Sequence, residues 1–359
     1  MKKIRVMVVE DSLSVRRRLV EILETDPELE VVAEAEDGKT AIELCEAMRP
    51  DVVTLDMMLP VMTGLAATEY IMAYCPTPVL IISASTNRGE LFRTYEALAA
   101  GAIDVIEKPT GAEPPGDWER RLVARVKLIS RIKVITHPRG KLGARRSAAS
   151  SAAAAVEIGP WSASYRLVAL GASTGGPGAA LEILKGLSPD FPIPILFVIH
   201  LGLPFSEGLA EWLDGQSHLR VSYARDGEPL PKRGQGRVIL APAEYHLIVD
   251  RGKLRLTTEP ERHSCRPSVD VLFESIAREI AGESVACLLT GMGKDGAEGL
   301  LAIRRAGGTT LAQDEATSVV YGMPREAFLL GAAEQVLPLH QLAPVLMKLA
   351  GRSQPGRPS

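Results

Sequence analysis

The chain has 359 residues, a formal net charge of −3, 46% hydrophobic residues and 4% aromatic ones. That length admits two domains, each with an aliphatic core of its own. The near-balanced charge gives no reason to expect a nucleic-acid partner. Cys45, Cys75, Cys265 and Cys287 are far apart and form no CxxC pair, so neither a zinc site nor a disulfide framework is expected. No apolar run approaches the ~20 residues of a membrane helix, so no membrane insertion is expected. Met1-Lys2-Lys3-Ile4-Arg5 enters a strand-like stretch without an apolar leader, which points to a cytoplasmic location.

In chain order, residues 4–9 read as a strand and 12–24 as a helix. Strands are expected again at 31–33, 51–55, 78–82 and 102–106, with a helix over 40–48. The alternation predicts a doubly wound parallel sheet, whose ligands bind beyond the carboxyl ends of the strands. A basic amphipathic helix from Trp118 to about Val134 closes this part. The segment around 144–155 is rich in Ala, Ser and Arg and poor in large apolar residues, as a linker would be. The boundaries drawn are 1–125 for a first domain, 126–163 for the linker, 164–350 for a second domain and 351–359 for a tail.

A second alternating α/β pattern follows. Residues 167–170 form a strand that runs into a Gly-rich turn, and a helix spans 177–185. The apolar run 193–199 reads as a buried parallel strand ending on His200. Residues 237–240 and a hairpin over 247–256, broken at Arg251-Gly252-Lys253, come next. Strands at 284–289 and 309–312 complete a larger, mostly parallel doubly wound domain. In both domains the polar motifs fall at strand ends.

In the first domain these motifs are Glu10-Asp11, Asp56, Ser83 and Lys108. Glu10, Asp11 and Asp56, with the Met58 carbonyl, supply the hard oxygens that a magnesium ion prefers. Without a cation, three clustered carboxylates oppose one another's ionisation; Lys108 would offset part of that. Asp56 is then placed to accept a phosphoryl group, which Ser83 and Lys108 would contact. Any one of these residues alone is an ordinary strand-end side chain, but five together are not.

In the second domain Gly171-Ala172-Ser173-Thr174-Gly175 fits the G-x-S-x-G nucleophile pattern between a strand and a helix. No Lys-Ser/Thr follows and GxGxxG spacing is absent, so a nucleotide-binding loop is disfavoured. Serine needs a base; His200 ends the next buried strand, whereas the other histidines sit in less regular or outlying segments. Asp295, in the Gly291-Met292-Gly293-Lys294-Asp295-Gly296 turn, is expected to orient the imidazole. The order Ser, His, Asp differs from that of the α/β-hydrolases.

Residues 1 to about 125 resemble the receiver domain of two-component response regulators, which carries an acidic pair, a phosphorylated aspartate, a Ser or Thr and Lys-Pro. The resemblance implies a flavodoxin-like, five-stranded sheet, Mg2+-dependent phosphorylation of Asp56 and a histidine kinase as phosphodonor. Val105 stands where an aromatic switch residue is often found.

Residues 165 to about 350 resemble the catalytic domain of chemotaxis protein-glutamate methylesterase. The motifs that carry this are Gly-Ala-Ser-Thr-Gly-Gly, Arg266-Pro267-Ser268-Val269-Asp270, Thr290 to Gly296, and Gly322-Met323-Pro324-Arg325-Glu326-Ala327. The resemblance implies hydrolysis of glutamate γ-methyl esters, and glutaminase activity, on the cytoplasmic helices of chemoreceptors. Ser173 would be nucleophile, His200 base, Asp295 orienting acid, and the amides of Thr174 and Met292 the oxyanion hole, with no cofactor for the ester chemistry. Leu201-Gly202-Leu203-Pro204 departs from the family's usual run after the histidine. A monomer is expected, with the resting receiver covering the Ser173 cleft and phosphorylation opening it. The rival reading is a non-catalytic response regulator whose second domain binds a partner; a DNA-binding regulator fits less well, since no helix-turn-helix is recognisable.

Overall fold

The structure, a computed structural model, describes residues 2–84, 87–109, 111, 113–132, 134 and 165–351. Residues 133 and 135–163 of the expected linker and 352–359 of the expected tail lie outside the described residues. The chain divides into two compact units, each built on its own parallel sheet.

In the first unit the β-branched runs form β1 (Ile4–Val9), β2 (Leu29–Ala35), β3 (Val52–Asp56), β4 (Val79–Ser83) and β5 (Asp104–Glu107). Between them lie α1 (Leu13–Glu24), α2 (Gly38–Met48), α3 (Gly64–Tyr74) and α4 (Arg88–Ala99), and α5 (Asp117–Ile129) closes the unit. All neighbours pair in parallel, in the order β2-β1-β3-β4-β5. β3 and β4 are buried throughout, as strands covered by helices on both faces must be. The chain reverses direction across the sheet between β1 and β3, so the crevice that such a reversal opens lies at Glu10-Asp11 and Asp56. α5 stops at Ile129, short of the expected Val134.

From residue 165 on, the chain forms β6 (Leu167–Ala172), α6 (Gly176–Gly186), β7 (Ile195–Ile199), α7 (Leu209–Gln216), β8 (Val221–Tyr223) and β9 (Val238–Leu240). The hairpin β10 (His246–Asp250) and β11 (Lys253–Thr257) turns through Arg251 and Gly252. Their φ values of 49° and 72° fit a primed turn. Then come α8 (Val269–Glu279), β12 (Ser284–Leu288), α9 (Ala297–Arg305), β13 (Thr309–Gln313), α10 (Met323–Leu329), β14 (Gln335–Leu337) and α11 (Leu339–Gly351).

Seven strands form one sheet in the order β14-β13-β12-β6-β7-β9-β8. β6 is central: the chain first builds outward through β7, then returns to β12 on the other side. The switch point therefore falls beside Ser173, at the end of β6. The outermost strands, β8 and β14, are three residues each, too short to leave a period in the sequence. α8 places Val269, Leu272, Phe273 and Ile276 on one buried face, the i, i+3, i+4, i+7 spacing of a core-facing helix. At about 1.5–3 kcal/mol per fully buried side chain, that face anchors the helix firmly against α9 and β10.

Candidate active site and phosphoryl-acceptor site

At the C-terminal edge of the first sheet, Glu10 and Asp56 are buried while Asp11 is exposed. Carboxylate oxygens of the three lie within 4.8 Å of one another. Lys108 Nζ sits 2.9 Å from both Glu10 Oε2 and Asp56 Oδ2. Burial pushes the Glu10 carboxyl above its ordinary range, and the Asp56 charge adds to this although Lys108 opposes it. Burial also works against the Lys108 ammonium, but its hydrogen bonds to Glu10 and Asp56 outweigh this and hold it above the usual lysine range.

One lysine thus does not neutralise the acids fully. The Met58 carbonyl accepts no hydrogen bond among the described residues. This all-oxygen set fits a hard divalent cation. Ser83 is the member not turned to the pocket: its buried hydroxyl donates to Glu90 Oε1 at 2.7 Å, and the Ala84 amide donates to the same oxygen at 2.9 Å.

In the second unit, three strand ends meet around Ser173. The His200 amide donates to the Ala172 carbonyl at 3.0 Å, continuing the parallel register of β6 and β7, in which Ala172 faces Ile199. Ser173 and His200 therefore leave the sheet on adjacent strands, whose axes lie about 4.8 Å apart. On the other side, the Ser173 amide donates to the Thr290 carbonyl at 3.0 Å. Gly291 is pressed beneath the serine: a Cβ there would stand 2.3 Å from Met323 Sδ and 2.8 Å from Ser173 Cβ. Only glycine permits that approach. The Ser173 side chain is half-buried and makes no hydrogen bond among the described residues. The Met292 amide likewise donates to no group among them.

His200 Nε2 and Asp295 Oδ2 are 2.8 Å apart. Asp295 is 2% exposed, and its carboxylate is caught by a cage that the residue types alone do not reveal. Ser268 Oγ donates to Oδ1 at 2.7 Å, the Val269 amide to Oδ2 at 2.7 Å, and the Asp270 amide to Oδ1 at 3.1 Å. These amides open α8, so the positive end of a helix faces the acid. Burial alone would raise the Asp295 carboxyl, but the bonds from His200, Ser268 and Val269 hold it below the usual carboxylate range. This is the case of hydrogen bonding to the charged form outweighing desolvation.

Burial likewise opposes the His200 imidazolium; the hydrogen bond to Asp295 and the neighbouring Cys265 overcome it and raise His200 to about 9. With Nε2–H turned to Asp295, Nδ1 is the nitrogen left for proton transfer. Cys265 Sγ lies 3.7 Å from it.

In the sequence, Arg266-Pro267-Ser268-Val269-Asp270 shows no chemical task of its own. The legible signal was a serine N-cap before an apolar helical period; the partner of that cap is 27 residues away in sequence. Asp270, fully buried, accepts from the Gly299 amide at 2.6 Å and faces His263 Nε2 at 3.1 Å. Burial, the largest influence, raises its carboxyl above the ordinary range. His246 is a structural residue, buried with Nδ1 accepting from the Ser268 amide at 3.1 Å and Nε2 at 3.2 Å from the Pro260 carbonyl.

Fold and site together define a two-part protein: a unit with an acidic pocket on a 2-1-3-4-5 sheet, followed by an α/β domain with His and Asp paired at its switch point. The response regulator receiver domain model matches residues 6–114 and the CheB methylesterase model residues 168–346. Protein-glutamate methylesterase/protein-glutamine glutaminase 2 of Anaeromyxobacter dehalogenans is 44% identical over 97% of this chain and 97% of its own. The protein of the same name from Pseudomonas aeruginosa is 43% identical over 98% of this chain and 99% of its own. Among solved structures, the CheB methylesterase catalytic domain of Thermotoga maritima is 36% identical with a TM-score of 0.49, covering 52% of this chain and 99% of that one. The chain belongs to the protein-glutamate methylesterase/protein-glutamine glutaminase family, and within it the receiver model and the CheB methylesterase model match successive parts.

Proposed function

We propose that this enzyme hydrolyses glutamate γ-methyl esters, and deamidates glutamines, on the cytoplasmic helices of chemoreceptors, under control of phosphorylation at Asp56 by a chemotaxis histidine kinase. The observation that carries the chemistry is the 2.8 Å pair of His200 and Asp295 beside a serine on the adjoining strand. Ser173 Oγ attacks the ester carbonyl as its proton passes to His200 Nδ1, and Asp295 balances the imidazolium through Nε2. The amides of Thr174 and Met292 stabilise the oxyanion. His200 then protonates the departing methanol. Water, deprotonated at the same nitrogen, releases the glutamate from Ser173.

In the receiver, Glu10, Asp11, Asp56 and the Met58 carbonyl would hold magnesium, whose charge offsets that of the phosphoryl oxygens in transfer. Asp56 is the acceptor and Lys108 pairs with a phosphoryl oxygen; Ser83 joins them by turning its hydroxyl away from Glu90. A partner-binding module without catalysis would have no use for four hydrogen bonds on one buried carboxylate. Ser173→Ala is expected to lower methanol release from methylated receptor by at least about 10³-fold, with the thermal melt preserved. Undiminished release would remove Ser173 as nucleophile.

A further inference from the structure

Cys265 is the side chain at this site for which the ester chemistry has no use. It lies at the end of a tight hairpin in which the Arg262 amide donates to the Cys265 carbonyl at 3.2 Å and the Cys265 amide returns the bond at 2.9 Å. His263 and Ser264 make the turn with φ of 52° and 59°, both in the left-handed region that non-glycine residues rarely occupy. Arg262 pins the hairpin to α8 and α9 through Glu274 and Glu298, each at 2.8 Å. The thiol is therefore placed by a braced backbone.

Two donors face each other there: Cys265 Sγ and His200 Nδ1, 3.7 Å apart. A tetrahedral zinc ion, with bonds of about 2.3 Å to sulfur and about 2.0 Å to nitrogen, separates such a pair by roughly 3.6 Å. Asp295 on the opposite ring nitrogen supplies the outer carboxylate that accompanies most zinc-bound histidines, fixing both the tautomer and the ring plane. Cys265, His200 and Asp295 each place a donor atom within 4.8 Å of the others'. The mixed sulfur–nitrogen set favours zinc over the magnesium that suits the receiver's oxygens.

We infer that Cys265 Sγ and His200 Nδ1 form a binding site for a thiophilic divalent cation such as zinc, and that its occupancy switches the esterase off. Binding releases the thiol proton and, from the imidazolium, the Nδ1 proton, forms a sulfur–metal and a nitrogen–metal bond, and takes the lone pair with which His200 would receive the Ser173 proton. The inhibitory half rests on His200 being the base, as proposed above; the binding half does not.

The test uses the full-length protein, with magnesium in excess to keep the receiver acids occupied. Cobalt(II) titration reports a thiolate by its charge-transfer absorption, and zinc titration of methanol release reports inhibition, each variant scaled to its own metal-free rate. Wild type is expected to show both, and Cys265→Ala to lose the absorption and need at least tenfold more zinc for half-inhibition. Cys265→Ser, of nearly the same size, serves if the alanine variant fails to fold. An absorption that persists unchanged in these variants overturns the site, and so does a wild-type inhibition that persists in them at the same zinc concentration. A thiolate absorption with undiminished turnover overturns the inhibitory half, and with it His200 as the base, while leaving the metal site standing.

Discussion

His200 is held by the same bond that makes it a reluctant base. The Asp295 carboxylate fixes its ring at 2.8 Å and helps to raise it to about 9, against the opposing effect of burial. At neutral pH the ring is then mostly imidazolium, whereas proton abstraction from Ser173 needs the neutral form. kcat/KM is expected to climb about tenfold per pH unit from neutrality and level off near 9. Stability should run the other way. A group whose pKa is raised on folding contributes fully below its ordinary 6.5, and that contribution fades as pH rises through about 9. The amount at stake is of the order of 3 kcal/mol. Methanol-release rates and thermal melts across this range, for wild type and His200→Gln, check both signs; a rate profile flat above pH 7 would mean the base titrates elsewhere. The sequence led to Ser173, His200 and Asp295 because each ends an apolar run. Ser268 was missed because its hydroxyl looks like an ordinary cap until its second partner is known.

Among the elements, α8 does the most for the site. Its apolar face fastens it to the core, and its first turn presents the Ser268 hydroxyl and the amides of Val269 and Asp270 to Asp295. Ser268 Oγ also accepts from the Val271 amide at 3.4 Å, closing the helix start. Ser268→Ala removes both a cap and a bond to a buried charge, so a loss of about 1–3 kcal/mol in stability is expected. If the hydroxyl also orients the acid, kcat should fall about tenfold or more with KM little changed. Chemical denaturation and steady-state kinetics separate these effects; a stability loss with kcat intact would reduce Ser268 to a helix cap. The strands that carry motifs were legible as continuous aliphatic runs, and the β10–β11 turn as an Arg-Gly-Lys break. β8 and β14 were not, since three residues at a sheet edge carry no readable alternation.

At the scale of the whole chain, two doubly wound sheets each gather polar side chains at a switch point. A phosphodonor with magnesium is expected to raise methanol release by wild type and to leave Asp56→Asn at its basal rate. Chelation should abolish that rise while leaving basal turnover at or above its starting value, since the proposed proton transfers at Ser173 route through side chains alone. A phosphodonor response that survives in Asp56→Asn would remove Asp56 as the acceptor. By itself the sequence determined the architecture and which polar residues stand at the strand ends. Apolar runs of strand length that alternate with helices bury in a parallel sheet, and the polar residues that follow them gather along its carboxyl edge. Only the tertiary structure decided which ring nitrogen of His200 meets Asp295, that α8 cradles Asp295, and that Cys265, 65 positions along the chain from His200, faces the other nitrogen. Those are contacts across loops and helix ends, where distance in sequence places no constraint on distance in space.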